Sequence, residues 1–170
     1  MRAAGALLII LGCTLYGFLK AAVLCKRARC LGAFLESLRF MEAELIGRAT
    51  PLPEMLLQLS ETARPEVRGF YKALSEKMDA AFENGFASLW RETLSNEELL
   101  CLSPYQRAEL ERPGAMLGRY DHKEQVGAIE SALSRLEPEL RRANGRAKDG
   151  LRLYTGLGLV GGIMAATVML

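Results

Sequence analysis

Two long apolar runs, one near each end of the chain, constrain the fold more than any other feature of the sequence. Residues 3–25 contain a single charged side chain, Lys20, and residues 153–170 contain none. A helix rises about 1.5 Å per residue, so each run makes a helix at least about 27 Å long, close to the thickness of a hydrocarbon core. A lone lysine near one end of such a helix can extend to the headgroups. The sequence therefore predicts transmembrane helices at 3–25 and 151–170.

The charges are divided unevenly between the ends and the middle of the chain. Residues 1–30 carry five basic and no acidic side chains, residues 31–140 carry 12 basic and 19 acidic ones, and residues 141–170 carry five basic and one acidic. Basic residues that flank a span mark its cytoplasmic side, and both basic groups lie toward the middle of the chain. We therefore predict a two-pass protein of the cell membrane, with both termini outside and residues 26–150 as a cytoplasmic domain.

An alternative interpretation of the first run is a signal peptide, because Arg2 precedes an apolar stretch. No small-x-small cleavage site follows the run before the next basic residues, and the ILGC sequence at 10–13 is only a weak lipoprotein-like match. Cleavage there would leave a second apolar half-span. A retained span is the preferred interpretation, and a cleaved one stays open.

A glycine and two prolines mark a corner between the first two predicted helices of the domain. Apolar residues at three- and four-residue spacing predict a helix through 31–46, and Gly47 is a favourable terminator. Thr50 and Pro51 then supply an N-cap and a first-turn proline for the next helix, within which Pro53 follows. We therefore predict that Gly47, Thr50, Pro51 and Pro53 build a rigid corner.

Four further helices are predicted after the corner. Their signals are Asn84-Gly85 at the end of a third helix, residues 86–94 for a short fourth helix, Ser103-Pro104 at the start of a fifth that Pro113-Gly114 interrupts, and a capping box at 121–124 for a sixth. The sixth helix is expected to continue nearly unbroken into the second span. No strand pattern competes, and short loops favour antiparallel packing. The predicted fold is all-α: a small antiparallel bundle of about five to six helices, flanked by two transmembrane helices.

The reactive side chains show no pattern typical of catalysis or of a metal site. The chain has four cysteines without a CxxC pair and a single histidine, His122. It has no glycine-rich phosphate loop and no GxSxG, and no spacing isolates a pair of carboxylates. The acidic middle also disfavours nucleic acid, which requires clustered positive charge. The sequence therefore predicts a protein that is not an enzyme, with no catalytic residue, no metal, no cofactor and no nucleic acid.

The second apolar run contains a GxxxG motif, formed by Gly158 and Gly162. Small residues at this spacing let transmembrane helices approach closely. Glycine is frequent in membrane spans in any case, so the motif fits both specific helix packing and ordinary span composition.

Two ordered motifs resemble a known family, and the resemblance covers essentially the whole chain. They are AELIGRATPLPE at 43–54 and LGRYDHKEQ at 117–125, between a short N-terminal span and a C-terminal one. The arrangement resembles the stage III sporulation protein AB family of endospore-forming bacteria. The first motif is similar, more loosely, to the cytoplasmic domain of type II secretion system F proteins. F proteins carry two such domains and more spans, so the resemblance implies a homo-oligomer or surface shared with partners.

The resemblance implies a subunit of the channel complex that is built across the mother-cell and forespore membranes. Its implied partners are a cytoplasmic secretion-type ATPase and the other membrane subunits, and its implied place is the mother-cell membrane facing the forespore. A motor with a basic face could dock on acidic groups held by the corner. The candidate partner-binding residues are Glu42, Glu44, Glu54, Arg119 and Asp121. The alternative is that both motifs are purely architectural.

A hypothesis from a different class is a membrane-tethered sensory or regulatory bundle that binds a small ligand or a partner protein. A ligand site between the helices requires an apolar pocket with convergent polar groups. Trp90, Tyr105 and Tyr120 are the candidate residues for such a pocket. A well-packed core without a cavity at these residues would exclude it.

Overall fold

The computed structural model of the chain describes residues 2–78, 85–95, 101–118 and 121–169. Side chains are described at 15 and 19 and, within those ranges, from 21 to 150. These parts of the chain form six helices and no strand. In chain order the helices are α1 (Arg2–Arg48), α2 (Leu52–Thr62), α3 (Pro65–Glu76), α4 (Phe86–Leu94), α5 (Pro104–Met116) and α6 (His122–Met169). The predicted all-α fold class is thus confirmed.

The chain divides into two compact units. One unit combines Met1–Ala28 with Arg141–Leu170, the N-terminal part of α1 and the C-terminal part of α6. The other unit is Arg29–Leu140, called the bundle domain below. As predicted, α6 continues without a break beyond the bundle domain.

The two predicted transmembrane helices find no support in the described residues, among which no helix is long and apolar enough to cross a membrane. Most side chains of 3–25 and all of those of 151–170 lie outside the described part of the chain. The GxxxG residues Gly158 and Gly162 fall in that second stretch, so their packing stays a prediction. The same holds for both spans.

One hydrophobic core holds the bundle domain together, and all six helices contribute buried side chains to it. At its centre, the ring of Phe70 lies edge-to-face against Phe34, Tyr71 and Trp90, with centroids 5.2, 5.0 and 4.9 Å apart. Burial raises the pKa of the Tyr71 phenol well above its usual range, and the neighbouring Ser37 hydroxyl offsets part of that effect. The phenol therefore stays neutral and acts as a core residue.

The Pro113-Gly114 pair lies inside α5, so the predicted interruption of this helix is wrong. A Cβ atom at Gly114 would lie 2.2 Å from Cγ and Cδ1 of Trp90, which shows how closely the indole packs onto the helix backbone. The Nε1–H of Trp90 also donates to the carbonyl of Leu110 at 2.9 Å. This bond joins the side chain of Trp90 on α4 to the backbone of α5, one turn before Gly114.

The third helix ends earlier than predicted, at Glu76 rather than at Asn84-Gly85. Residues 79–84 lie outside the described residues. Gly85 has φ = 80° and occupies the N-cap position of α4, so this glycine serves the start of the next helix instead. The fourth helix itself covers Phe86–Leu94, as predicted.

The helices α5 and α6 begin where the sequence predicts, at Pro104 and His122. Ser103 Oγ accepts from the N–H of Gln106 at 3.2 Å, and Gln106 Oε1 accepts from the N–H of Ser103 at 3.0 Å, a complete capping box. At α6, the carbonyl of Asp121 accepts from the N–H of Glu124 at 3.0 Å, and the helix begins at His122.

Candidate functional site

The corner between α1 and α2 begins where α1 ends, one residue after Gly47. Ala49, and not Gly47, takes the left-handed conformation that turns the chain, with φ = 53°. Gly47 lies in the last turn of α1, and a Cβ atom there would meet no atom within 4 Å. The prediction that Gly47 terminates the helix is therefore wrong, because the turn needs left-handed backbone two residues later.

The left-handed backbone at Ala49 has a measurable consequence for stability. A non-glycine residue in the left-handed region costs about 1 kcal/mol, whereas glycine inside a helix is about 0.5–1 kcal/mol worse than alanine. Ala49→Gly and Gly47→Ala should therefore each raise the free energy of unfolding by about 0.5–1 kcal/mol. Chemical denaturation of the two single variants checks this. A loss of stability in Gly47→Ala would show instead that the turn depends on that glycine.

Thr50 closes the corner by bonding back to α1. Its hydroxyl donates to Glu44 Oε2 at 2.6 Å, and its backbone N–H lies 3.5 Å from the backbone carbonyl of Glu44. The predicted role of Thr50 as N-cap of α2 is wrong: Pro51 holds that position, with φ = −60° and ψ = 144°, and makes no side-chain capping bond. The carbonyl of Pro51 accepts from the N–H of Met55 at 3.1 Å, and Pro53 lies in the first turn. Thr50, Pro51 and Pro53 therefore all lie where the chain passes from α1 into α2.

The acidic residues of the corner differ in what they offer to a partner. The Glu44 side chain is only 15% exposed, and besides Thr50 it contacts Arg48, with 3.9 Å between Oε1 and the arginine Nη1. Glu42 is half-buried on α1. Glu54 is exposed in the first turn of α2, where the helix dipole favours a negative charge. Glu44 therefore fixes the corner, and Glu54 is its most accessible carboxylate.

Apolar side chains accompany the exposed carboxylate. Ile46, in the last turn of α1, and Leu57, one turn after Glu54 on α2, are both more than half exposed. Residues three or four apart on a helix share a face, so Glu42 lies beside Ile46 and Glu54 beside Leu57. The corner thus presents acidic and apolar groups together, a combination found in protein–protein interfaces.

The second sequence motif meets the first one at the start of α2. Gly118 has φ = 82°, and a Cβ atom there would lie 3.5 Å from the Leu52 side chain. Of the two candidate residues in this motif, Arg119 lies outside the described residues, whereas Asp121 is exposed directly before α6. The fold therefore brings the two motifs together, which the sequence alone did not predict.

The sequence pattern did not predict that Glu109, on α5, is a buried carboxylate. Its side chain is 5% exposed and lies 3.4 Å from Arg135 of α6 and 3.5 Å from Arg112 of its own helix. Both arginines remain about half exposed. The apolar stripe of α5 is poor, with Leu110 as its main buried aliphatic residue, so periodicity gave no indication that Glu109 faces inward. Its place between two helices gives it a structural role.

The candidate residues for a small-ligand pocket do not form one in the described residues. Trp90 is fully buried among other rings and Gly114, Tyr105 is half exposed, and Tyr120 lies outside the described part. A groove of about 210 Å³ lies elsewhere, between α1 and the end of α2. Its lining residues are Ala33, Glu36, Ser37, Phe40, Leu59, Thr62, Ala63 and Arg64.

The polar groups of this groove are already engaged. The hydroxyls of Ser37 and Thr62 donate to carbonyls of their own helices, at 3.1 and 2.7 Å. Glu36 forms an ion pair with Arg64. A ligand site needs polar groups that converge on the ligand, so the groove gives the small-ligand hypothesis no support. In the part of the chain that the structure describes, no group of three or more His, Cys, Asp or Glu side chains could hold a metal ion.

The fold and the corner define an all-α helical-bundle protein whose clearest surface feature is an acidic and apolar turn. The family model for stage III sporulation protein AB matches residues 2–170, and the chain belongs to this family. Stage III sporulation protein AB of Bacillus subtilis (strain 168) is 23% identical over 171 residues, covering 100% of this chain and 99% of the relative.

A solved structure supports the same assignment. The structure of a stage III sporulation protein AB (SpoIIIAB) is similar to this one with a TM-score of 0.62 and 25% identity. The likeness covers 72% of this chain and 96% of the solved one. The resemblance to the family that the two motifs indicated is confirmed, and the role of the chain is in sporulation.

Proposed function

We propose that the chain is a non-enzymatic platform subunit of a channel complex that forms during endospore formation. Family membership supports the sporulation role, and the similarity of the first motif to type II secretion F proteins supports the platform role. In this proposal, helices at 3–25 and 151–170 anchor the protein in the mother-cell membrane facing the forespore. The bundle domain faces the cytoplasm, and both termini lie outside.

The corner is the proposed docking surface for a cytoplasmic secretion-type ATPase. One observation carries this assignment: the exposed Glu54 stands on a turn that the bond between Thr50 and Glu44 holds rigid. Rigid presentation lowers the entropy lost on binding, and an acidic surface beside apolar side chains attracts and orients a basic partner. Glu54 and Glu42 are the proposed contact residues, and Glu44 positions them. Other membrane subunits, or further copies of the chain, contact the remaining surface.

The test is a titration of the full chain, in detergent micelles, with the cognate sporulation ATPase at two salt concentrations. Glu54→Lys should weaken binding by about tenfold at low salt, because reversing a charge at the edge of an interface mainly changes electrostatic attraction. The difference should shrink at high salt, where exposed charges are screened. Far-ultraviolet circular dichroism should show an unchanged fold, since the Glu54 side chain is exposed.

The matched control is Glu130→Lys, the same charge reversal at an exposed position of α6. If binding depends on the corner, the control keeps the wild-type affinity. Equal weakening by both variants would mean that only net charge matters. Wild-type affinity in Glu54→Lys would place the docking surface elsewhere and leave the corner as architecture alone.

A further inference from the structure

The unit formed by Met1–Ala28 and Arg141–Leu170 carries exposed basic side chains on both of its helices. On α1 these are Lys26 and Arg27, and on α6 they are Arg146 and Lys148. The four residues are called the basic collar below. None of the four side chains forms an ion pair or a hydrogen bond within the described residues, in contrast to that of Arg29 of the bundle domain, which lies 4.0 Å from Glu66.

Few acidic groups offset this charge locally. Within residues 21–28 and 141–150 the acidic side chains are limited to Asp149. Ala28 and Ala147 are buried, so each is in close contact with other parts of the chain, and the adjacent collar residues point away into solvent.

An exposed apolar stripe leads up to the collar along α1. Leu15, Leu19 and Val23 are 62%, 57% and 53% exposed and follow one another at four-residue spacing, so they share one helix face. Lys26 and Arg27 come within the next turn. An apolar helix face that ends in exposed basic side chains fits a lipid bilayer, where the apolar groups meet acyl chains and the basic groups meet phosphates.

We propose that the basic collar binds the phosphate groups of anionic lipids, so that the chain prefers membranes that contain them. The inference rests on the membrane association in the proposed function, and it adds the lipid class that the protein recognises. A membrane surface is favoured over an acidic protein because the apolar stripe is continuous with the collar on the same helix. Each basic side chain near an anionic surface contributes about fivefold to binding, and the effect falls off within a Debye length.

The test is native mass spectrometry of the full chain in detergent, titrated with phosphatidylglycerol or with phosphatidylcholine of identical acyl chains. The wild-type chain should retain phosphatidylglycerol at least about tenfold more tightly. A variant with Lys26→Gln, Arg27→Gln, Arg146→Gln and Lys148→Gln should lose this preference. The control variant loses four positive charges from the bundle domain and should keep the preference for phosphatidylglycerol. It carries Lys72→Gln, Lys77→Gln, Arg91→Gln and Lys123→Gln.

A flotation assay separates failure of this inference from failure of the proposed function. If the wild-type chain floats with neutral phosphatidylcholine vesicles but shows no preference for phosphatidylglycerol, membrane association stands and the collar proposal is overturned. Such a result would favour an acidic protein as the partner of the basic collar. Equal loss of the preference in the collar and control variants would also overturn it, since net charge alone would then explain the effect. A wild-type chain that floats with neither vesicle type would overturn both the collar proposal and the membrane association in the proposed function.

Discussion

Gly114→Ala is expected to lower the free energy of unfolding by about 3 kcal/mol, the upper part of the usual cost of overpacking a core. The added methyl group would lie 2.2 Å from two atoms of the Trp90 indole. That ring has little room to move, because its Nε1–H donates to the Leu110 carbonyl at 2.9 Å and the ring packs against Phe70 and Phe86, with 4.9 and 5.8 Å between centroids. The added methyl group must therefore push α5 and the Trp90 indole apart.

The measurement is a urea titration of the full chain in detergent, followed by the fluorescence of Trp90, the one tryptophan in the sequence. Gly127→Ala is the control: that glycine is also helical, and a Cβ atom there would meet nothing within 4 Å. The free energy of unfolding of this control should rise by about 0.5–1 kcal/mol. In a Trp90→Phe background, urea titration followed by circular dichroism should show that Gly114→Ala lowers the free energy of unfolding by less, because the two sites are coupled. Unchanged stability in Gly114→Ala would contradict this packing.

The sequence predicted the helical elements well where local signals were sufficient. The short helix Phe86–Leu94, the start of α5 at Ser103-Pro104 and the start of α6 at His122 follow from turn residues and apolar spacing within a few positions. Two of the predictions that failed concern the Pro113-Gly114 pair and Gly47. In both cases a glycine was interpreted as a break, whereas in the structure it lies within a helix. A long-range contact with Trp90 decides the first case, and backbone conformation at Ala49 decides the second.

The candidate site shows the same division between local and long-range information. The motif at 43–54 indicated a corner, and the corner is present. Which of its carboxylates reaches solvent was not predictable, because that depends on the bond from Thr50 to Glu44 across the turn. The contact between Leu52 and the position of Gly118 joins residues more than sixty positions apart, and no local pattern reports such a contact.

Glu109 is the second position at which a large effect is expected. Its Oε1 lies 3.4 Å from Arg135 Nη1 on α6 and its Oε2 3.5 Å from Arg112 Nε, so it joins α5 to α6 inside a buried environment. Removing one member of a buried ion pair usually costs several kcal/mol, because the remaining charge stays buried. Here the remaining charges are arginines that are about half exposed and can be hydrated. Glu109→Ala should therefore cost about 2 kcal/mol.

Removing the other partner tests the same geometry from the opposite side. Arg135→Ala leaves the buried carboxylate with Arg112 alone, so its cost should equal or exceed that of Glu109→Ala, although the arginine is the more exposed residue. A double-mutant cycle measured by urea titration should give a coupling energy of about 1 kcal/mol between Glu109 and Arg135. Glu111→Ala, at a more exposed carboxylate of the same helix, should cost less than about 0.5 kcal/mol. If Arg135→Ala were as mild as that control, Glu109 would not need its partner on α6, and the ion pair would add little to the packing of α5 against α6.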